Sequence, residues 1–188
     1  GLGGFGPKTD FGVGSNPLSV FSADFNNDSK PDLAVANQAG ANVSILLGNG
    51  NGTFGAKTDY GVGSGPQSVF SADFDNDGDQ DLAVANNSSN NVSILLGIGN
   101  GTFGAKTDFY FGLGSIPTSV FSADFNNDSK LDLAVAEYYS STVSILLGNG
   151  LGGFGPKTDF SVSVAPTSVF SADFDNDGDQ DLAVANRF

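Results

Sequence analysis

A nine-residue acidic pattern occurs four times in this chain, and it limits the available folds more than any other feature. The copies are Asp24-Phe-Asn26-Asn-Asp28-Ser-Lys30-Pro-Asp32, Asp73-Phe-Asp75-Asn-Asp77-Gly-Asp79-Gln-Asp81, Asp124-Phe-Asn126-Asn-Asp128-Ser-Lys130-Leu-Asp132 and Asp173-Phe-Asp175-Asn-Asp177-Gly-Asp179-Gln-Asp181. Their first residues are spaced by 49, 51 and 49 positions, and the Phe-Gly pairs at Phe5, Phe54, Phe103 and Phe154 keep the same period. Self-similarity at this length marks a repeat architecture, in which one supersecondary unit buries its apolar face only against its neighbours. Copies one and three are alike, as are two and four, so a double repeat overlies the single one. The two residues that lengthen one spacing to 51 are expected near Phe109-Tyr110-Phe111.

One repeat reads as four short strands. Ser19 to Phe25 alternates Phe21, Ala23 and Phe25 against Ser22 and Asp24, which is the period of a strand. Asp32 to Asn37 puts Leu33 and Val35 on one face and Ala34 and Ala36 on the other, where small side chains admit a neighbouring sheet. Asn42 to Gly48 is rich in β-branched and aliphatic residues. The Gly/Asn run after it is a turn, and a fourth strand is expected near Phe54 to Val62. The Lys57-Thr-Asp59 charges there suit an outer edge. No segment has helical periodicity with caps. Four-stranded units in radial repetition predict an all-β chain, a β-propeller of four-stranded antiparallel blades. In a single domain over 1–188, the blades fall at 18–66, 67–116, 117–166 and an incomplete 167–188. Residues 1–13 are expected to return as a strand to the last blade.

Five carboxylates in nine residues repel one another unless a cation intervenes. A hard ion with oxygen ligands suits them, and Ca²⁺, which takes many oxygens in flexible geometry, suits them better than Mg²⁺. The formal charge is −14, and sixteen of the twenty-one acids lie in the four loops. Four Ca²⁺, one per loop, would bring the charge to about −6, ordinary for a solvated surface. The acidity is therefore read as ligand chemistry. An EF-hand is excluded, because its twelfth position needs Glu and Val35, Val84, Val135 and Val184 stand there.

With these residues in view, the chain resembles the FG-GAP (VCBS-type) repeat proteins, whose blades are related to integrin α-subunit heads. The resemblance rests on the acidic loop followed by Asp-Leu-Ala-Val-Ala, then Val-Ser-Ile-Leu-Leu-Gly and a Gly-rich turn into Phe-Gly, and it runs through nearly the whole chain. It implies Ca²⁺ between the first two strands of each blade. Carried over by position, the side-chain ligands are Asp24, Asn26, Asp28 and Asp32; Asp73, Asp75, Asp77 and Asp81; Asp124, Asn126, Asp128 and Asp132; and Asp173, Asp175, Asp177 and Asp181. Lys30, Asp79, Lys130 and Asp179 would contribute backbone carbonyls. Loops one and three carry Asn for one carboxylate and Ser29 or Ser129 for the turn Gly, so weaker binding is expected there. Family propellers have about seven blades, against four repeats here. A longer parent chain, an oligomer that completes the ring and a filament are all compatible with that difference.

The chain has no Cys and no His, which removes thiolate and imidazole chemistry, and it has no Gly-x-Ser-x-Gly. No enzyme activity is expected. Gly50-x-Gly52-x-x-Gly55 is followed by a strand rather than a helix, so it is read as a turn and not as a dinucleotide fingerprint. Without a basic patch, nucleic acid is not an expected partner, and no apolar run is long enough to insert in a membrane. Phe21, Phe70, Phe121 and Phe170, with Phe25, Phe74, Phe125 and Phe174, are expected between blades. Tyr138-Tyr139 and Phe109-Tyr110-Phe111 break the repeat and are expected to be exposed contact residues. The reading is an extracellular, calcium-stabilised structural or adhesive scaffold whose partners are other copies of itself or surface proteins and glycans. A lectin-like propeller is the second reading, and a non-catalytic part of a larger secreted hydrolase is the third.

Overall fold

A computed structural model describes residues 6–188. Its strands are β1 (Pro17–Ala23), β2 (Asp32–Asn37), β3 (Asn42–Leu46), β4 (Thr58–Gly61), β5 (Pro66–Ala72), β6 (Asp81–Asn86), β7 (Asn91–Leu95), β8 (Thr107–Tyr110), β9 (Pro117–Ala123), β10 (Asp132–Glu137), β11 (Thr142–Leu146), β12 (Thr158–Ser161), β13 (Pro166–Ala172) and β14 (Asp181–Asn186). They form three four-stranded antiparallel meanders, β1 to β4, β5 to β8 and β9 to β12, and the pair β13–β14. These are propeller blades, with β1, β5, β9 and β13 side by side on the inside.

Alternation along the second strand of each blade builds the core. Ala34 and Ala36 are fully buried, and one cluster joins them, with Val43 and Ile45, to Val69, Leu82, Val84 and Leu95 of the next sheet. Ala83, Ala85, Val92 and Ile94 meet Val120, Leu133, Val135 and Leu146 in the same way. Ala134, Ala136 and Val143 meet Val169. Each interface thus sets an Ala face against a Leu/Val face, and each buried Val or Leu contributes about 1.5–3 kcal/mol. Phe21, Phe70, Phe121 and Phe170 stack in a row with ring centroids 5.0, 4.8 and 4.9 Å apart. Phe25 and Phe74 are buried between blades as expected, whereas Phe174, on the outer face of the last blade, is exposed.

The chain departs from the expected strands at three places. The first strand ends at Ala23, not Phe25, because the Phe25 amide leaves the ladder to donate to Asp32. The fourth strand is shorter than expected, at Thr58–Gly61, although Gly48 still bridges to Phe54. Residues 6–13 form no strand and add nothing to the β13–β14 pair; residues 1–5 lie outside the described residues. Instead Phe11 packs edge-on against Phe54 at 5.1 Å, the contact that Tyr60 makes with Phe103 and Phe109 with Phe154. The segment therefore lies beside the first sheet as the fourth strand of a preceding blade would.

The acidic loops and the Gly-rich turns share one end of the blades. The opposite end carries the turns between second and third strands and the links from blade to blade. A polar chain runs across each of the first two blades, as where Asn37 donates to the Ser44 hydroxyl (2.9 Å), which donates to Asp59 (2.6 Å), which pairs with Lys57. Asp59 is thus held below its ordinary range by hydrogen bonds from Lys57 and Ser44. The Lys-Thr-Asp motif fastens the outer strand to the blade as well as charging its edge.

Candidate metal centres

Each acidic loop is wound by its own backbone amides around its first carboxylate. Asp73 accepts from the amides of Asp77 (3.2 Å) and Gly78 (3.0 Å), and Asp24 accepts from Asp28 (3.1 Å) and Ser29 (2.6 Å). The turn takes the left-handed conformation at its fourth and sixth positions, with φ of 59° at Asn76 and 92° at Gly78. That explains the preference for Asn and Gly there. Ser29 and Ser129 are held at 62° and 65°, a conformation that costs a residue with a Cβ about 1 kcal/mol.

The ninth position works differently from the rest. Asp32, Asp81 and Asp132 are fully buried, and each clamps two amides. Asp81 accepts from Phe74 and Gly97, both at 2.7 Å. Asp32 accepts from Phe25 (2.9 Å) and Gly48 (2.7 Å), and Asp132 from Phe125 (2.9 Å) and Gly148 (2.8 Å). Asp181 accepts from Phe174 at 3.0 Å. These carboxylates tie the loop to the Gly-rich turn, a role that spacing alone does not disclose.

In the second loop, oxygens of Asp73, Asp75 and Asp81 lie within 4.8 Å of one another; in the fourth, those of Asp173, Asp175 and Asp177 do so. Asp75 Oδ1 is buried and has no hydrogen-bond partner. Burial, and then the charge of Asp77, push the Asp75 carboxyl up. Asp81 is pushed up to about 6, chiefly by burial, with Asp75 and Asp73 adding to the repulsion. All the donors are hard oxygens, and one has nothing to bind, which fits a calcium-type ion and no softer one. Asp79 turns away from this cluster and accepts a hydrogen bond from Asn27 of the preceding loop (2.8 Å). Asp179 accepts likewise from Asn127 (2.6 Å). Both positions are thereby left with their backbone carbonyls as the group to offer an ion.

Loops one and three contain their own cation. The Lys30 ammonium lies 2.9 Å from Asp28, and that of Lys130 lies 3.2 Å from Asp128. Hydrogen bonding from Lys30 holds Asp28 below its ordinary range. Asp128 is also lowered, against its own desolvation, by Lys130. Asp24, Asn26 and Asp28 stay within one loop, as do Asp124, Asn126 and Asp128, since the Asn26 and Asn126 side chains accept from the Asp28 and Asp128 amides.

Of the aromatic departures from the repeat, Tyr138 and Tyr139 lie on the turn between β10 and β11, at the end opposite the acidic loops. Tyr138 and Tyr139 stack edge to face at 5.2 Å, and Tyr139 is 70% exposed. Phe111 is buried, contrary to expectation, because it holds the place of Val62 and its ring lies 5.7 Å from the Lys157 ammonium. Phe109 keeps the repeat, pairing with Val92 as Tyr60 pairs with Val43. The extra residues therefore follow Phe111, in the 112–116 link. Glu137, where the other blades have Asn, is fully buried and joins Ser144, Ser140 and Lys157.

No curated protein matches the chain. Among solved structures it is similar to BBS1N in complex with ARL6DN and soaked with mercury (15% identity, TM-score 0.64, 94% of this chain and 49% of that one) and to the lead-soaked form (17%, 0.60, 93% and 57%). It is also similar to an Agrocybe aegerita lectin that recognises non-reducing terminal N-acetylglucosamine (24%, 0.56, 89% and 42%). The chain spans about half the length of these structures, and the likeness is one of fold. The model of the FG-GAP-like repeat matches residues 24–84, 73–135 and 124–184, overlapping from blade to blade, and the chain belongs to that family.

Proposed function

We propose that this chain is a calcium-stabilised, non-catalytic propeller module of an extracellular protein, acting as a scaffold or adhesive surface. The observation that carries the reading is the Asp73–Asp75–Asp81 cluster with its partnerless buried oxygen. A loop that collects such charge at one point gains from a divalent ion, and extracellular modules work at calcium concentrations near 10⁻⁴–10⁻³ M. Melting in calcium and in excess chelator tests it. An ion at about a hundred times its Kd adds about 2.7 kcal/mol, so chelation should lower Tm by several degrees. Asp77→Ala and Asp177→Ala should lower Tm in calcium more than Lys57→Ala. A Tm indifferent to chelator would sink the reading.

Association with further blades belongs to the same proposal. Val20 is 61% exposed, whereas its counterparts Val69, Val120 and Val169 are buried at 4% against a neighbouring sheet. The Ala183–Ala185 face of β14 is exposed, and the same face of β2, β6 and β10 is buried. Further repeats of the same protein or a second copy would meet these two faces. Light scattering in calcium tests for a second copy, since a strictly 19.1 kDa species would exclude self-assembly of this chain. A second reading, binding of a glycan, is favoured by the cavity beside Tyr138 and Tyr139.

A further inference from the structure

At the end of the blades away from the acidic loops, a cavity of about 360 Å³ opens across blades two to four. That is within the range of small-ligand sites. Its floor is the second residue of three consecutive inner strands, Gln67, Thr118 and Thr167, and its wall is Tyr138, Tyr139 and Arg187. Two of the three floor residues are fixed. The Thr118 hydroxyl has its one proton between Pro166 O (2.9 Å) and Ala136 O (3.2 Å), and Thr167 donates to Ala185 O (3.2 Å). The Gln67 amide makes no hydrogen bond to another described residue, so it is free to meet a ligand.

The wall is built as firmly. The Tyr138 amide donates to Ile116 O, and the Arg187 amide to Ala165 O, both at 3.0 Å. These are the same bonds that place Gln38 and Asn87 in the other blades. Under the Tyr pair, Glu137 braces the turn through Ser140 (3.0 Å). The departures from the repeat at Glu137, Tyr138 and Tyr139 thus serve one surface.

Charge decides what that surface takes. Every Lys among the described residues pairs with a carboxylate: Lys8 with Asp10, Lys30 with Asp28, Lys57 with Asp59, Lys106 with Asp108, Lys130 with Asp128 and Lys157 with Glu137 and Asp159. Arg187, the one Arg of a chain with formal charge −14, has no acidic partner among the described residues and lines the cavity. A planar guanidinium is suited to a bidentate carboxylate. An exposed Tyr ring beside it suits the C–H face of a pyranose, and a free amide suits ring hydroxyls.

We propose that this cavity binds a carboxylated sugar, a uronic or sialic acid residue of a glycan. The carboxylate lies on Arg187, the ring on Tyr139, and a hydroxyl on Gln67. The proposal rests on the glycan-binding reading and is independent of the calcium one. Calorimetric titration of the whole chain with methyl β-glucuronide, methyl α-N-acetylneuraminide and the neutral methyl β-glucoside tests it. At least one carboxylated glycoside should bind tenfold or more tightly than the glucoside. Arg187→Gln should reduce it to the glucoside's level, and Tyr139→Ala should weaken it at least fivefold, with melting unchanged in both. Equal binding of the neutral sugar, indifference to Arg187→Gln, or no binding by the folded chain overturns it. Repeating the titration and melt in chelator separates the two readings. A chelator-insensitive melt counts against calcium alone, and absent sugar binding by a chain that melts normally counts against the cavity alone.

Discussion

The ammonium of Lys30 lies 2.9 Å from Asp28 Oδ2, at the fifth position of its own acidic loop, and Lys130 repeats the arrangement with Asp128. A side chain already neutralising the carboxylate must be displaced before a divalent ion gains that oxygen. Loops two and four have no such cation, since Asp79 and Asp179 stand in its place. Calorimetric calcium titration should therefore resolve two tighter sites and two weaker ones. Lys30→Gln should tighten one weak site roughly fivefold, as removing one unit charge at a solvated position does. Four equal sites, unchanged in the variant, would show that the Lys is not a competitor.

Asp81 supplies a test by pH. Its carboxyl is pushed up to about 6 in the folded chain, chiefly by burial, against an ordinary value of 3.8. A raised carboxyl pKa means that the fold holds a proton which the unfolded chain has lost between pH 4 and 6. In chelator, stability should then rise as pH falls from 7 to 5, by about 1.3 kcal/mol from this one group, and approach its full contribution of about 3 kcal/mol only below pH 3.8. Asp75 and Asp132, also raised mainly by burial, act in the same direction. In calcium the proton competes with the ion, so the slope should reverse. Denaturant melts at pH 5 and 7, with and without chelator, read both slopes. An Asp81→Asn chain whose chelator slope equals the parent's would refute the assignment.

Gly97 shows how the loop is tied to the turn beyond β7. Its amide donates to Asp81 at 2.7 Å, and a Cβ there would fall on the Gln80 carbonyl oxygen. The clash is with backbone, so nothing flexible can yield. Gly97→Ala should cost about 2–4 kcal/mol, combining the lost hydrogen bond with the displaced strand end. Gly61→Ala, where a Cβ meets nothing within 4 Å, should change stability by less than about 1 kcal/mol. Urea unfolding of the two variants compares them, and equal costs would mean that the clamp is not under tension from its neighbours.

Much of this was legible because the repeat states its pattern four times. The alternation in Asp32-Leu-Ala-Val-Ala-Asn37 gives β2 to the residue, and the small Ala face gives the blade interface. What stayed hidden depends on contacts between segments distant in sequence. The end of β1 is set by the Phe25 amide reaching Asp32, and Asp79 is turned outward by Asn27, fifty-two residues earlier. Phe111 reads as a break in the repeat because the eye aligns it with the insertion, whereas packing aligns it with Val62. Arg187 gives no signal in the sequence until the pairing of every described Lys makes it the exception.

The third blade also carries an ion pair, with its carboxylate fully buried, in place of the repeat's polar chain. Glu137 is fully buried, and Lys157 lies 3.1 Å from it and 2.9 Å from Asp159, under the Phe111 ring. Desolvation works against the Lys157 charge, but hydrogen bonds to Asp159 and Glu137 outweigh it and raise its pKa. Removing the cation alone leaves two carboxylates facing one hydroxyl, that of Ser144, so Lys157→Met should cost about 3–5 kcal/mol. Glu137→Asn restores the arrangement of Asn86 and Ser93 in blade two, where the amide bonds the hydroxyl at 2.9 Å. In the double variant most of the loss should return, because the uncompensated buried charge has gone. A double-mutant cycle by urea unfolding measures the coupling. Additive losses would mean that Glu137 is held by Ser140 and Ser144 alone, and that Lys157 serves only the outer strand.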